Sequence, residues 1–256
     1  MEFFDTHSHY NDEKFNEDLE KIIQDTLKSG VTKFMCIGYD LESSKKAIKI
    51  AEEHDNIYAT CGISPNDIED VEINCLKEIE DIAKNPKVLA IGEIGLDYYW
   101  EKDENKRRLQ KEFFVKQIEI ANKLNLPIVI HTRDAYLDTI QVLKENKCKN
   151  TGIFHCCPLN NELIKDGLKL GYYISFSGVI TFKNAKPELP VSLVPMDKIL
   201  IETDSPYLTP EPYRGQRNDS RKVIEVARKI ASIKSTSLEE IAKMTYENAL
   251  KVYRLN

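Results

Sequence analysis

Residues 126–131 read LPIVIH, an apolar run of Ile128, Val129 and Ile130 that ends on His131. Residues 151–155, TGIFH, repeat the pattern and end on His155. Short runs rich in β-branched and aromatic residues read as buried strands. The start of the chain does the same: residues 1–6, MEFFDT, form an expected strand, and His7 and His9 follow it. Of the five histidines, only His54 lies elsewhere, near the end of an expected helix. Glu93, in AIGEIGLDYY (90–99), and Asp204, in KILIETDSP (198–206), also fall just past strand ends.

Working outward, the chain alternates apolar runs with helical periodicity. Strands are expected over 1–6, 33–37, 57–62, 87–91, 126–130, 151–154, 172–176 and 198–202. Helices are expected over 15–29, 42–54, 73–84, 105–124, 135–145, 161–170, 221–232 and 238–253, with Gly30 suited to a left-handed cap. About eight strands, each followed by a helix or a helix-bearing loop, imply an α/β protein with a parallel sheet. The length of 256 residues matches the ~250 typical of one (β/α)8 barrel. No GxGxxG follows the first strand, so the dinucleotide-binding open sheet has no support. The position of the polar residues decides for the barrel. There the C-terminal ends of all strands gather at one mouth, where active sites of this fold sit, whereas an open sheet spreads them along an edge. No linker, low-complexity tract or repeat interrupts residues 1–256, so a single TIM-barrel domain with a metal site at its C-terminal mouth is the simplest reading.

Composition narrows the function. Hydrophobic residues make up 41%, enough for a sizeable core. The first residues lack a basic n-region and an apolar h-region, and no apolar run approaches the ~18 residues of a membrane span. The six cysteines form no CxxC pair, which favours reduced thiols in a cytoplasmic enzyme over a disulfide framework. The net charge of −6 has the wrong sign for coating DNA through a broad basic surface. Any attraction for nucleic acid is then local, which suits work at ends or on single strands.

The metal-competent residues divide by strand end. His7 and His9 are two apart, so both face the same way and can reach one ion; Asp5 shares that parity and is a candidate to orient a histidine. Glu93 follows the buried run Val88–Ile91 and is flanked by Gly92 and Gly95, where glycine allows the backbone to bend close to a ligand. A buried carboxylate needs a partner, and a pair of ions bridged by it is one; a structural salt bridge is the other. Asp97 reads more as a loop-fixing residue. Asp204 is the better-placed candidate for metal ligand and water-activating base, and Glu202 for a supporting role. Arg133, Arg214 and Arg217 are candidate phosphate contacts, although loop arginines are commonly just solvated.

DTHSH, GEIGLDYY, LPIVIHTRDA, FHC and ETDSPYLTPEPYRGQRN, in this order from Asp5 to about Asn218, resemble the signature segments of the TatD family of deoxyribonucleases. TYENALKVY near the C-terminus resembles that family's T-x-x-N segment. The resemblance implies an amidohydrolase-related (β/α)8 barrel with two, sometimes three, divalent ions: Mg2+ in nuclease use, with Zn2+, Mn2+ or another transition metal in the isolated protein. It implies that His7 and His9 bind one ion, Glu93 bridges, His131 and His155 bind the second, and Asp204 completes the site. Two departures stand out. Ser64 replaces the family's histidine in G-I/V-H-P, and Cys157-Pro158-Leu159-Asn160 replaces a Phe-Ser-Gly run. Ser64 is therefore expected to substitute for a phosphate contact and to leave an active but weaker nuclease.

The leading expectation is hydrolysis of DNA phosphodiester bonds, as an exonuclease at ends or on single strands, with RNA as a further substrate. Arg133, Arg214, Ser64 and Tyr207 are the expected substrate contacts, and Tyr98, Tyr99, Trp100 and Tyr207 the aromatics available for stacking on bases. Metal-dependent hydrolysis of an amide or ester, such as an aminoacyl ester, is the alternative on the same barrel. A non-catalytic metal-binding scaffold is a third reading, and it would require a lost ligand. No membrane and no obligate protein partner is indicated.

Overall fold

Apolar runs at every expected strand position pair side by side in chain order. The computed structural model describes residues 1–69 and 71–255. Strands β1 (Phe3–Ser8), β2 (Val31–Cys36), β3 (Ile57–Cys61), β4 (Val88–Asp97), β5 (Ile128–Arg133), β6 (Gly152–Phe154), β7 (Tyr173–Phe176) and β8 (Ile199–Ile201) form one parallel sheet in the order β1 to β8. The sheet curls until its edges meet. Ser8 bridges Ser205, Asp204 N–H donates to the His7 carbonyl at 2.9 Å, and the Thr6 hydroxyl donates to the Ile201 carbonyl at 3.0 Å. This is the (β/α)8 barrel expected from the sequence.

Helices α1 (Leu19–Lys28), α2 (Leu41–Glu53), α3 (Leu76–Ile82), α4 (Glu104–Leu124), α5 (Tyr136–Glu145), α6 (Asn161–Lys169), α7 (Glu188–Leu193), α8 (Val223–Lys234) and α9 (Leu238–Tyr253) pack around it. Each amphipathic helix lays its apolar stripe on the outer face of the strands, in the manner of Ile22 and Ile23 of α1 and Phe113, Phe114 and Ile118 of α4. The barrel interior is a separate layer of Phe4, Met35, Ala90, Val129, Ile153, Tyr173 and Leu200. Ala249, Val252 and Tyr253 of α9 join that layer, and the Tyr253 hydroxyl donates to the Thr6 carbonyl at 3.1 Å. The far end from the mouth is thus plugged by the last helix. Asn248 of the T-x-x-N segment fixes α9 there, donating to the Met196 and Ile199 carbonyls at 2.8 Å each. Among the described residues, no helix is long and apolar enough to cross a membrane.

Two elements differ from expectation. Strand β4 continues ten residues to Asp97 instead of ending at Ile91, so Glu93 lies within it and not past its end. Ile91 pairs with Ile128 and Ile94 with Ile130, which leaves one residue too many on β4, a bulge at Gly92 and Glu93. The glycines serve this contact. A Cβ on Gly92 would lie 2.6 Å from Cβ of Val129, and one on Gly95 (φ +142°) only 2.0 Å from the His131 carbonyl oxygen. The second difference is α7, a short helix in KPELPV, where none is expected between residues 170 and 221. Both prolines sit at the start of that short helix, where no backbone N–H is needed.

Candidate metal centre

The bulge aims Glu93 across the barrel mouth. Its N–H donates to the Gly38 carbonyl at 2.8 Å, and the carboxylate is almost fully buried among four imidazoles. Each oxygen faces a different pair. Oε2 lies 3.4 Å from His7 Nε2 and 3.9 Å from His9 Nε2; Oε1 lies 2.8 Å from His131 Nδ1 and 3.1 Å from His155 Nε2. Asp204 Oδ1 stands on the His7/His9 side, 3.2 Å from His9 Nε2 and 3.6 Å from His7 Nε2. All six sequence-derived ligand candidates therefore converge.

The arrangement fits cations better than hydrogen bonds alone. His7 Nε2 meets His9 Nε2 at 3.2 Å, and His131 Nδ1 meets His155 Nε2 at 3.2 Å. Each such pair of nitrogens is compatible only if one carries a proton and the other does not, whereas a metal ion accepts both lone pairs. Ligand atoms of His7, His9 and Glu93, of Glu93, His131 and His155, and of His7, His155 and Asp204 lie close enough together to share an ion. A set of imidazoles and carboxylates with no thiolate suits Zn2+, Mn2+ and similar ions, with Mg2+ favoured by the oxygens.

Electrostatics in the protein alone follow from burial and pairing. Burial disfavours charge on Glu93, but His155, His131 and His7 together hold its pKa well below the usual value. Burial likewise opposes protonation of His155, and the Glu93 and Glu202 carboxylates overcome it and raise its pKa well above normal. For Asp204, burial again resists ionisation, and the hydrogen bond from His9 with the nearby His7 keeps the pKa depressed. Both site carboxylates are thus held as anions in front of the imidazoles.

The outer nitrogens of the imidazoles are held by the scaffold. Asp97 Oδ2 takes His131 Nε2 at 3.0 Å, while its Oδ1 accepts the N–H groups of Tyr99 and Trp100 at 2.9 and 3.0 Å. Asp97 therefore fixes its loop, as expected, and also turns His131 so that Nδ1 faces the centre, a role the sequence did not signal. His9 Nδ1 lies 3.3 Å from the Ile37 carbonyl, and His155 Nδ1 lies 3.3 Å from Glu202 Oε1. Replacing Asp97 by asparagine keeps the volume and removes the charge. Such outer partners are worth ~10–100-fold in metal affinity. The variant's affinity for Mn2+, titrated calorimetrically into chelator-treated protein, is expected to fall by that factor, and an unaltered isotherm would mean that Asp97 only shapes the loop.

Asp5 does not orient a histidine ring. Its carboxylate turns away to accept the Thr203 hydroxyl and N–H at 2.5 and 2.9 Å and the Ser220 hydroxyl at 2.5 Å. It ties β1 to the segment carrying Asp204. Buried Asn218 closes the same segment by donating to the Thr203 and Tyr207 carbonyls at 2.9 and 2.6 Å. Thr203, Asn218 and Ser220 were not singled out from the sequence, since nothing local marks a polar residue as a buried strut.

The expected substrate contacts are dispersed around the mouth. Ser64 is 4% exposed, and its hydroxyl accepts the Asn66 N–H at 3.2 Å, so it holds the turn after β3. Arg214 is exposed, donates to the Thr209 carbonyl at 2.7 Å and lies over the Phe182 ring. The Tyr207 hydroxyl donates to Asp12 at 2.6 Å. Arg217 is engaged by Asp18 at 2.6 Å and is not free for a phosphate. Arg133 is exposed beside the end of β5.

Comparison with known proteins finds relatives over the whole chain. The sequence profile of a family described as TatD related DNase matches residues 4–254. The chain is 43% identical over 255 residues to an uncharacterized metal-dependent hydrolase, YabD, of Bacillus subtilis, covering 99% of both chains. It is 34% identical over 264 residues to a second such hydrolase, YcfH, of Escherichia coli K12, covering 100% of this chain and 97% of the relative. The crystal structure of YJJV, a TatD homolog from Escherichia coli K12, superposes with a TM-score of 0.93 at 25% identity, covering 99% of this chain and 98% of that one.

Proposed function

Because the chain belongs to the TatD-related DNase family, which makes it a metal-dependent hydrolase, we propose that it cleaves DNA phosphodiester bonds at a two-ion centre. The observation that carries this reading is Glu93, whose two oxygens face two separate histidine pairs. His7, His9 and Asp204 would hold one ion, His131 and His155 the other, with Glu93 between them. When bound, two divalent ions at such a centre supply Lewis-acid polarisation of phosphoryl oxygens and a water of lowered pKa.

The chain's own groups do the rest. Asp204, kept ionised by His9 and His7, is placed to accept a proton from the attacking water. Asp97 keeps Nδ1 of His131 directed inward. Arg133 and Arg214, exposed at the rim, are the cations available to phosphates on either side of the scissile one. The net charge of −6 confines attraction for a polyanion to this region, which favours exonucleolytic work at ends or on single strands. Mg2+ is the expected ion in use, and the imidazole-rich set accounts for Zn2+ or Mn2+ in protein as purified. The free cysteines suit the cytoplasm.

Digestion of end-labelled single- and double-stranded DNA and RNA with Mg2+, Mn2+ or Zn2+, alongside aminoacyl esters, tests the reading. Stepwise shortening of DNA that EDTA abolishes is expected; ester cleavage without any cut in nucleic acid would replace it with the amide/ester hydrolase. Metal removal should also show in stability. An ion present at 100 times its Kd stabilises by ~2.7 kcal/mol, or roughly 5–10 °C in Tm for a domain of this size. Calorimetry before and after chelation is expected to show that drop. An unchanged Tm in protein shown to be stripped would mean that these residues hold no ion tightly.

A further inference from the structure

The structure divides the four aromatics expected to be available for stacking on bases. Tyr98 donates its hydroxyl to Asp138 at 2.7 Å, and the Arg107 guanidinium lies 4.4 Å from its ring. Tyr207 donates to Asp12, and Lys14 Nζ lies 4.2 Å from its ring. Tyr98 is half-buried, and Tyr207, although 45% exposed, has its hydroxyl held by Asp12, with Lys14 beside its ring. Tyr99 and Trp100 are 43% and 67% exposed, with rings edge to face at a centroid separation of 4.7 Å.

The Arg133 guanidinium lies over Tyr99, 3.8 Å from its ring centroid, and 5.6 Å from that of Trp100. Among the described residues, no carboxylate lies within ion-pair distance of it. An indole this exposed is costly in water, and a guanidinium stacked on one ring keeps its N–H edge open to a second ligand. The cluster is rigidly referenced to the metal centre. Asp97 pairs with Arg133 in the ladder, and the carboxylate that takes His131 Nε2 also accepts the N–H groups of Tyr99 and Trp100. Arg133 is two residues beyond His131, about 7 Å along the strand.

We propose that Trp100, Tyr99 and Arg133 form a base-binding platform in which an unpaired nucleobase stacks on the Trp100 indole and Arg133 contacts its attached phosphate. This rests on the phosphodiesterase reading and adds a specificity-determining site to it. A base inside a duplex offers no free face to such a platform. A strand whose phosphate occupies the centre passes over β4 and β5 here, so the platform sets which nucleotide is held next to the cut.

Trp100 is the only tryptophan in the chain, so its fluorescence reports on this site alone. The test titrates a single-stranded oligothymidylate, and a same-length abasic strand, into metal-loaded protein inactivated by Asp204→Asn. The thymidylate is expected to quench the emission and the abasic strand to leave it unchanged. In the active enzyme, Trp100→Ala is expected to raise KM for the thymidylate about tenfold with kcat little affected, and Trp100→Phe to restore most of the loss. Neither variant should alter KM for the abasic strand. Cleavage of the thymidylate without quenching, or with the same KM in Trp100→Ala, overturns the platform and leaves the nuclease reading standing. Absence of cleavage of every nucleic acid by the unmutated enzyme removes both.

Discussion

Replacing Asp204 by asparagine is expected to lower turnover by ~10²–10⁴-fold or more while the fold stays intact. The carboxylate is the acid nearest His9, and its depressed pKa keeps it ready to take a proton. Asparagine has the same shape, offers one carbonyl oxygen, and cannot act as a base. The backbone argument supports an intact fold. Asp204 has φ +56°, in the left-handed region that aspartate and asparagine tolerate better than other side chains do. Its N–H bond to the His7 carbonyl, part of the closure between β8 and β1, does not involve the side chain. Circular dichroism should be unchanged. A folded, metal-loaded variant with near-normal kcat would remove Asp204 from the reaction.

Glu93→Ala is expected to lose both metal and rate. Glu93 sets one oxygen against each histidine pair, so its removal takes away the most direct link between the His7/His9 side and the His131/His155 side. It also strips the imidazoles of one of the two carboxylates, with Glu202, that raise the His155 pKa in the absence of ions. Elemental analysis should find less than the parent's metal content, with activity reduced by a factor comparable to that for Asp204→Asn. Glu93→Gln separates the two causes: it keeps the volume and one good acceptor, and should retain more metal than the alanine variant. Full occupancy in Glu93→Ala would rule out a bridging role.

The barrel was legible because each strand is a short run rich in apolar and β-branched residues, and because the chemistry sits at the ends of those runs. LPIVIH and TGIFH state both facts at once. His7, His9, His131, His155, Glu93 and Asp204 could be gathered from sequence because a barrel brings strand ends together whatever the loops do. Geometry that depends on a bulge was not legible. Gly92 and Gly95 read as room for the backbone to bend close to a ligand, and the structure shows them letting β4 press against Val129 and His131 while the extra residue turns Glu93 inward.

Roles set by long-range hydrogen bonds were also hidden. By alternation Asp5 should face the same way as His7, but its bonds to Thr203 and Ser220, almost two hundred residues or more away, turn it elsewhere. Asp97 looked like a turn residue and is one, but its second oxygen reaches His131 on the neighbouring strand. For Ser64, comparison of motifs suggested a weakened substrate contact; the structure shows a buried hydroxyl that stabilises its own turn.

At this mouth two ions are expected, with Glu93 between them. Anomalous diffraction from crystals grown with Mn2+ tests this most directly. Two peaks are expected, one beside Glu93 Oε2 among His7, His9 and Asp204, and one beside Oε1 between His131 and His155. A single peak, or peaks away from Glu93, would contradict it.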